Sequence, residues 1–456
     1  MNVTTTAQRK FQIKGPTPIN PLAAIRALNA DPIAAAASWF HEYGDFVALR
    51  FGPFQGYQIS HPELIKHVLQ DNFRNYGRFE PSNSKFKLIS GLNLFTSDGD
   101  YWLRQRRLLQ PSFHRQRLAA LVDLMMPATQ EMLDRWSLLS VVDMEAEMMQ
   151  VTLLNVSRAL FSLGLGGAAI KFHNAFTTAN EYVGYLLTTP VVPPRWLPTR
   201  RNRQFKQAMQ ILDEVVNQII SSRKESTNRP DDMLTMLLDA RYEDTGEHLT
   251  DKQLRDEVMA LLIAGHETTA NSLTWALHLL ATHPEIQQQV REEIQLVLAD
   301  RTVTVADIGN LVFTAAVIDE TLRLYPTAFT LTRQAHAEDL LGGNSIRAGS
   351  VILISTWNTH RHPEFWNNPE QFDPGRFVGE HPERPRFAYM PFGGGPRQCI
   401  GMHLALMEMR LVLAMILQRY EVSPLEGAPA VRIHALTSLR TRQGLHLALT
   451  RVANGS

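Results

Sequence analysis

The segment from residue 249 to residue 282 constrains the fold more than any other part of this sequence. Its apolar residues recur at three- and four-residue spacing in RDEVMALLIAGHETTANSLTWALHLLATH, which is a helical pattern. At 1.5 Å per residue, one helix over these positions would be roughly 50 Å long, enough to cross a domain. The sequence therefore predicts a protein built around one long central helix.

The whole chain divides into three regions that differ in their predicted secondary structure. Residues 1–98 mix helical and strand patterns, and residues 99–325 are predominantly helical. Residues 326–456 combine short strands and turns with a long helix from about residue 400 and a closing hairpin. We predict a mainly α fold with small β-sheets (α+β), forming a single domain over residues 1–456.

Two local patterns add detail. The alternation in DFVALRFGPFQGYQISHPE, residues 45–63, predicts two short strands joined by a Gly/Pro turn, with a helix opening at His61-Pro62. VGYLLTTPVVPPRWLPTR, residues 183–200, is a Pro-rich and strongly apolar connection between two helical segments. Because a solvated linker would be polar, we predict that this connection forms a lid.

Composition excludes several classes of function. Lys plus Arg and Asp plus Glu each number 45, so we expect no whole-chain attraction to nucleic acid. A single cysteine in 456 residues allows neither an internal disulfide nor a multi-cysteine zinc site, which suits a reducing compartment. We find no signal peptide and no run of about 18 apolar residues that could span a bilayer. We therefore expect a cytoplasmic protein.

Two motifs come close to known binding sites, and each lacks one residue. In GGGPRQCIG, Gln398 stands where a dinucleotide fingerprint requires its third glycine. In GHETTA, His266 and Glu267 stand as in a zinc-protease helix, but Ala270 occupies the position of the second histidine ligand. The sequence favours neither a Rossmann site nor a zinc protease.

The only cysteine, Cys399, lies in FGGGPRQCIG. A lone cysteine is most often an inert, buried, small hydrophobe. Here the preceding glycines allow close backbone approach, while Arg397 and a helix beginning near Ile400 favour the thiolate form. Such a thiolate can ligate haem iron, where it promotes cleavage of the O–O bond.

The residues around Cys399 also carry a family resemblance. They are Phe392, Gly395, Arg397, Cys399 and Gly401, which match the ten-position signature F-x-x-G-x-R-x-C-x-G. By this signature the chain resembles the cytochrome P-450 superfamily, and it is similar to the soluble bacterial members. The resemblance implies haem b with an axial thiolate, bound between the long central helix and the Cys-ligand helix. It also implies haem contacts from Phe392, Gly395 and Gly401.

Four further motifs occur in family order. Trp102 and Arg106 fit a W-x-x-x-R helix, and residues 264–269, AGHETT, resemble the oxygen-activation motif of the central helix. Glu320 and Arg323 resemble the family's E-x-x-R motif, and PGRF contains the arginine, Arg376, that completes a Glu/Arg/Arg cluster. An exposed ion pair three residues apart contributes little to stability, but the apolar neighbours of Glu320 and Arg323 predict that this pair is buried. We interpret this cluster as structural.

The oxygen-activation motif suggests a proton relay. A threonine inside a helix is usually a satisfied core residue or a cap. Opposite a thiolate ligand, the resemblance instead implies that the Thr268 hydroxyl and the Glu267 carboxyl deliver protons during catalysis. Small residues at Ala264 and Gly265 would leave room over the iron for O₂ and substrate.

The haem propionates require cations and hydrogen-bond donors. The resemblance assigns Trp102, Arg106 and Arg397 to them, and Arg333 in FTLTRQA stands where a strand usually supplies another. Plain core packing is an equally good interpretation of Trp102.

Electrons must reach the haem from elsewhere. The chain ends about 55 residues after Cys399, so we expect no fused reductase and a separate ferredoxin or flavodoxin with its reductase. A basic run could attract such a partner, although charge runs are usually solvated helix faces. Its residues are Arg104, Arg107, Arg115 and Arg117.

Apolar candidates for the substrate pocket predict a hydrophobic substrate. They are Leu88, Leu92, Ala264, Ala328, Phe329 and Leu436. The expected function is a haem-thiolate monooxygenase that inserts one atom of O₂ by hydroxylation or epoxidation. The alternatives are a non-catalytic thiolate-ligated haem sensor or carrier, and a helical protein without cofactor.

Overall fold

The computed structural model describes residues 10–16, 20, 22–162, 164, 166–189, 191–227, 229–242, 244–380 and 383–452. The side chains of residues 115–120 lie outside this description. Arg115 and Arg117 of the basic run are among them. Much of the N-terminal segment in which we looked for a signal peptide also lies outside it.

Helices dominate the described chain. They are α1 (Ala23–Ala30), α2 (Pro32–Tyr43), α3 (Pro62–Lys66), α4 (Glu80–Ser90), α5 (Gly99–Leu109), α6 (Arg115–Trp136), α7 (Met144–Phe161), α8 (Gly167–Thr188), α9 (Arg200–Glu225), α10 (Met233–Asp239), α11 (Asp251–Thr282), α12 (Pro284–Leu298), α13 (Val305–Ile308), α14 (Val312–Leu324), α15 (Thr356–Thr359) and α16 (Met402–Arg419).

The strands are short. They are β1 (Phe46–Phe51), β2 (Phe54–Ile59), β3 (Tyr76–Gly77), β4 (Val141–Asp143), β5 (Thr330–Ala335), β6 (Asp339–Leu341), β7 (Asn344–Ile346), β8 (Val351–Ser355), β9 (Tyr420–Pro424), β10 (Ile433–Ala435), β11 (Leu439–Thr441) and β12 (His446–Arg451). Because the sheets are small and separate, the predicted mainly α fold is confirmed.

The chain forms two compact units. The first, called the strand unit, comprises residues 1–83, 328–371 and 381–399. Its five-stranded sheet has the order β1-β2-β8-β5-β3, in which β2 and β8 are parallel and the other pairs antiparallel. The predicted hairpin of β1 and β2 is present, and α3 follows it. Apolar side chains of this sheet and of α3 form the core of the unit.

The second unit, called the helical unit, comprises residues 84–327, 372–380 and 400–456. Within it α11 packs against α7, α9, α14 and α16. A three-stranded sheet of order β4-β12-β9 and the β10–β11 hairpin complete the unit. Whether both units belong to one domain, as we predicted, stays a prediction.

The long central helix is present as α11, with 32 residues. It begins two residues later than the pattern suggested, because Thr250 and Gln253 form a capping box at its N-terminus. Most of its residues after Leu254 are buried, which explains its apolar character on several faces.

The apolar connection is shorter than predicted. Helix α8 continues through residues 183–188 and ends at Thr188, so the connection spans only residues 189–199 before α9 begins. The helix continues because its apolar residues, including Val183, pack in the core, and prolines occur only from residue 190 onward. Trp196 on this connection is 81% exposed.

No helix in the described ranges is long and apolar enough to cross a membrane.

Candidate functional site

The cysteine loop, residues 390–399, belongs to the strand unit and is shaped by its backbone. The Cys399 N–H donates to the Phe392 carbonyl at 3.0 Å, which closes the loop. Gly395 has φ +67°, and a Cβ at this position would stand 1.8 Å from the Leu69 carbonyl oxygen. Only glycine fits there, because an L side chain would meet both strain and a backbone clash. Cys399, the single cysteine of the sequence, is exposed.

Four other predicted residues lie in the strand unit. Arg333 on β5 is buried, and its Nη1 donates to the Thr332 carbonyl at 2.9 Å. Arg397 lies half-buried in a short 3₁₀ turn of the cysteine loop. Ala328 is exposed, whereas the Phe329 side chain is buried. Arg333 and Arg397 suit a bound anion chemically, and their propionate role stays a prediction.

Helix α5 of the helical unit carries Trp102 and Arg106. These residues are four apart and therefore share one helix face. Trp102 is buried and Arg106 half-buried. Arg104 has a local partner that the sequence pattern did not suggest: its Nη2 lies 2.9 Å from Asp244 Oδ1, and its guanidinium stacks over the Tyr242 ring. Arg107 is the exposed member of the basic run on this helix.

The middle of α11 combines two exposed positions with a buried surrounding. Ala264 and Thr268 are exposed and lie one turn apart on the same face, while most other residues of this stretch are buried. The Thr268 hydroxyl donates to the Ala264 carbonyl at 2.6 Å. This face therefore presents one small side chain and one hydroxyl that can act as donor and acceptor.

Gly265 has a different reason to be small than we predicted. A Cβ at Gly265 would stand 2.7 Å from Cγ2 of Val156 on α7. The missing side chain therefore allows α11 and α7 to approach closely, instead of opening space for O₂ and substrate.

Glu267 is buried in a hydrogen-bond network. Its Oε1 accepts from the Ser438 hydroxyl at 2.7 Å and from Asn180 Nδ2 at 3.2 Å. Asn271 Nδ2 donates to the Ser438 hydroxyl at 3.2 Å, and Thr437 donates to Asn180 Oδ1. Burial raises the pKa of the Glu267 carboxyl, although the Ser438 hydrogen bond acts in the opposite direction. Burial therefore favours the protonated, neutral form of this carboxyl more than in an exposed glutamate.

Glu320, Arg323 and Arg376 form one cluster in the helical unit. Glu320 and Arg323 on α14 are both fully buried and make a bidentate pair, with N–O distances of 2.6 and 2.8 Å. Arg376 Nε lies 3.4 Å from Glu320 Oε1, and the Asp373 N–H donates to the same oxygen at 2.9 Å. The buried charges are thus matched, as such a pair requires.

Besides Ala264, three predicted pocket residues lie in the helical unit. Leu88 on α4 is half-buried and Leu92 is exposed. Leu436, in the turn of the β10–β11 hairpin, packs against Gly184 of α8. The Leu92 N–H donates to the Asp256 carboxylate at 3.0 Å, so a carboxylate of α11 fixes this part of the loop.

Sequence reasoning missed several groups around Glu267. Asn180 and Ser438 come from α8 and the hairpin, and neither lies in a recognisable motif. His266 belongs to the GHETTA motif, but its full burial beside His173 on α8 was not expected. The only available signal was that a carboxyl in a buried helix needs polar partners from elsewhere.

These residues fit a thiolate-ligated haem. The loop around Cys399 has no room for a side chain at position 395, Cys399 is exposed, and buried Arg333 offers a cation. The exposed face of α11 is uncharged and small at Ala264. Soft thiolate and guanidinium groups are the donors that haem iron and propionates use.

Comparisons with known proteins identify the family. A cytochrome P450 family model matches residues 15–446. The chain is 35% identical over 389 residues to cyclooctat-9-en-7-ol 5-monooxygenase from Streptomyces melanosporofaciens, covering 84% of each protein. It is 36% identical over 419 residues to cyclooctatin synthase from the same organism, covering 89% of each.

A third relative is pentalenene oxygenase from Streptomyces avermitilis, 33% identical over 410 residues and covering 90% of each protein. Family match, relatives and the thiolate loop agree, which favours an enzyme over a non-catalytic haem protein. The chain belongs to the cytochrome P450 family and is a P450 monooxygenase that uses thiolate-ligated haem.

Proposed function

We propose that this monooxygenase hydroxylates or epoxidises a hydrophobic, terpenoid-like substrate. One atom of O₂ enters a C–H or C=C bond of the substrate, and the other leaves as water after uptake of two electrons and two protons. The observation that carries the proposal is that α11 of this family member has an exposed Thr268 next in sequence to a buried Glu267 carboxyl.

Haem b is the proposed cofactor, and Cys399 is its proposed iron ligand. When bound, the haem supplies the redox chemistry that activates O₂. Arg333, Arg397, Trp102 and Arg106 would hold the propionates through charge and hydrogen bonds. Support comes from the exposure of Cys399 and from a loop in which the Gly395 position tolerates no side chain.

Glu267 and Thr268 are the proposed proton donors. The raised pKa of Glu267 means that its carboxyl holds a proton more strongly than an exposed glutamate does, and it would release this proton to a stronger base. The Thr268 hydroxyl donates to the Ala264 carbonyl oxygen. To donate a hydrogen bond to the reacting oxygen instead, the hydroxyl must first break this bond.

Two sets of observations support a hydrophobic substrate. Ala264 and Ala328 are small, apolar and exposed, so they add no polar group to a binding surface. The names of two relatives describe oxygenases of cyclooctat-9-en-7-ol and of pentalenene. We propose a related polycyclic hydrocarbon skeleton, with electrons from a separate ferredoxin or flavodoxin and its reductase.

Reconstitution with isotope-labelled oxygen tests the proposal. The holoenzyme is combined with ferredoxin or flavodoxin, the matching reductase and a panel of polycyclic terpenoids, with linear fatty acids as the control panel. We expect terpenoids to shift the haem spin state and to yield products containing one ¹⁸O atom from ¹⁸O₂. Binding and oxygenation of the fatty acids alone would overturn the substrate class, and products without ¹⁸O would overturn the reaction.

A further inference from the structure

The loop between α4 and α5, residues 91–98, is bound to α11 by two consecutive carboxyl groups. Asp256 Oδ2 accepts from the Leu92 N–H at 3.0 Å, and Glu257 Oε1 accepts from the Leu94 N–H at 2.9 Å. Both carboxyl groups are buried. Two backbone groups of this loop, which we call the α4–α5 loop, are therefore fixed to one turn of α11.

Further contacts press the α4–α5 loop against α11. Arg255 Nη2 donates to the Ile89 carbonyl at 3.1 Å, just before the loop, and Arg255 Nη1 donates to Asp256 Oδ1 at 3.0 Å. A Cβ at Gly91 would stand 2.1 Å from Cγ of Asp256. The loop backbone and α11 therefore leave no room for another side chain between them.

The α4–α5 loop keeps its polar side chains inside and its large apolar ones outside. The Asn93 Oδ1 accepts from the N–H groups of Phe95 and Thr96 at 2.9 and 3.2 Å, and the Thr96 hydroxyl donates to the Gly91 carbonyl at 2.7 Å. Asn93 and Thr96 are buried, whereas Leu92 is 38% and Phe95 49% exposed. The outer surface of the loop therefore suits a hydrophobic molecule.

The carboxyl of Glu257 lies on the same face of α11 as Ala264 and Thr268. These two residues follow Glu257 by seven and eleven positions, which is close to two and three full turns. Ala264 and Thr268 are exposed, whereas Glu257 is buried and binds the loop. The α4–α5 loop therefore covers this face at its N-terminal end, about 10 Å along the helix from Ala264.

We propose that Glu257 is a positioning residue for the substrate, because it holds the α4–α5 loop as a fixed end wall beside the open face of α11. Leu92 and Phe95 form the apolar surface of this wall, which limits how far a substrate extends from Ala264. The inference rests on the proposed function, since the substrate must bind along this face.

Hydrogen exchange of the Leu94 N–H in the holoenzyme measures the attachment of the loop. Glu257→Met removes the acceptor, and Glu257→Gln keeps an oxygen acceptor. Since burial raises the pKa of Glu257 to about 8, its carboxyl is mostly neutral at pH 7, and both replacements are uncharged as well. We expect exchange about tenfold faster in Glu257→Met and near the parent rate in Glu257→Gln, because losing one hydrogen bond raises the population of the opened loop by about that factor.

Two azoles that bind haem iron through a nitrogen atom measure the wall without turnover. Imidazole is a short probe, and biphenylimidazole carries two further rings that can reach the loop. The shift of the Soret band gives the dissociation constant of each. We expect the ratio of the biphenylimidazole constant to the imidazole constant to fall about tenfold in Glu257→Met, because the opened loop admits the longer probe. Glu257→Gln should keep the parent ratio.

Lys252→Met is the matched control. Lys252 Nζ lies 2.7 Å from Asp256 Oδ2 and its side chain is exposed, so this variant removes a neighbouring ion pair and leaves the Leu94 hydrogen bond. It should match the parent protein in both measurements. Asp256→Ala removes the acceptor of the Leu92 N–H and should lower the azole ratio as well, which provides a second variant if Glu257→Met does not retain haem.

Unchanged exchange of the Leu94 N–H in Glu257→Met would overturn the attachment. Faster exchange with the parent azole ratio, or equal weakening of both azoles, would overturn the wall. Neither measurement uses a terpenoid or forms a product, so a failure of the proposed function in the ¹⁸O₂ experiment is distinguishable from a failure of this inference.

Discussion

The cysteine loop and the middle of α11 are held in place by different kinds of groups. The loop is fixed by backbone groups: the Cys399 N–H bonds to the Phe392 carbonyl, and Gly395 lies against the Leu69 carbonyl. The middle of α11 depends on side chains, namely the Thr268 hydroxyl and the Glu267 carboxyl with its partners from distant segments.

This difference teaches where each region is sensitive. The cysteine loop is disrupted by added side-chain volume, because a backbone carbonyl cannot move aside as a flexible side chain can. A network of titratable side chains tolerates small changes in volume but fails when a proton or a charge is lost. Substitutions can therefore separate the two regions by the kind of change they introduce.

The largest effect is expected from Gly395→Ala. The added Cβ would stand 1.8 Å from a carbonyl oxygen at φ +67°, so we expect destabilisation by about 4 kcal/mol or more. The thiolate-ligated haem should be lost, measured as haem content and as the Soret band of the reduced, CO-bound protein.

Gly427→Ala is the control, because Gly427 has φ +71° but nothing within 4 Å of an added Cβ. It should cost about 1–2 kcal/mol, from backbone strain alone, and keep the spectrum. If Gly395→Ala behaved like this control, the backbone would not define the loop.

A smaller effect, confined to catalysis, is expected from Thr268→Ala. Removing the hydroxyl should lower the rate of coupled turnover by about 10²–10⁴-fold while leaving haem content and stability unchanged. Thr268→Ser keeps the hydroxyl and should retain most of the activity. Product formed per electron distinguishes coupled from uncoupled turnover, and an unchanged yield in Thr268→Ala would argue against a proton role for α11.

The smallest effect, measured per pH unit, concerns a second buried carboxyl of α11. Burial raises the pKa of Glu257 from 4.5 to about 8, although its carboxyl accepts the Leu94 N–H at 2.9 Å. Between these pH values the folded protein holds one more proton than the unfolded chain. The free energy of unfolding should therefore fall as pH rises through this window, by up to about 1.4 kcal/mol per pH unit from this group.

Glu257→Gln keeps an oxygen acceptor for Leu94 and should show a correspondingly shallower fall, measured by denaturant unfolding at a series of pH values. Glu408, whose pKa burial also raises to about 8, contributes to the slope that remains. Identical slopes in the parent and in Glu257→Gln would mean that this part of α11 does not titrate as a buried group.

Much of the fold was predictable from local patterns. The 3.6-residue periodicity identified α11, and the alternation in residues 45–63 identified β1 and β2, because these patterns follow directly from helix and strand geometry. The end of α8 was misjudged, since apolar residues before Pro190 suit a buried helix as well as an apolar connection. Local sequence cannot separate these two possibilities.

The candidate site was predictable to a lesser degree. The motif residues could be named from the sequence. The reason why position 265 requires glycine could not be predicted, because the nearby Val156 belongs to another helix. Arg104 similarly looked like part of a basic surface until its pairing with Asp244, which is 140 residues away, became visible.

The sequence alone determined the family, the single cysteine and the approximate length of the central helix, since each depends on motifs or patterns that are local in the chain. Tertiary structure alone decided which groups meet the Glu267 carboxyl. Asn180 and Ser438 lie 87 and 171 positions away along the chain. Contacts over such distances arise from the packing of whole helices and hairpins, and no local pattern of residues specifies them.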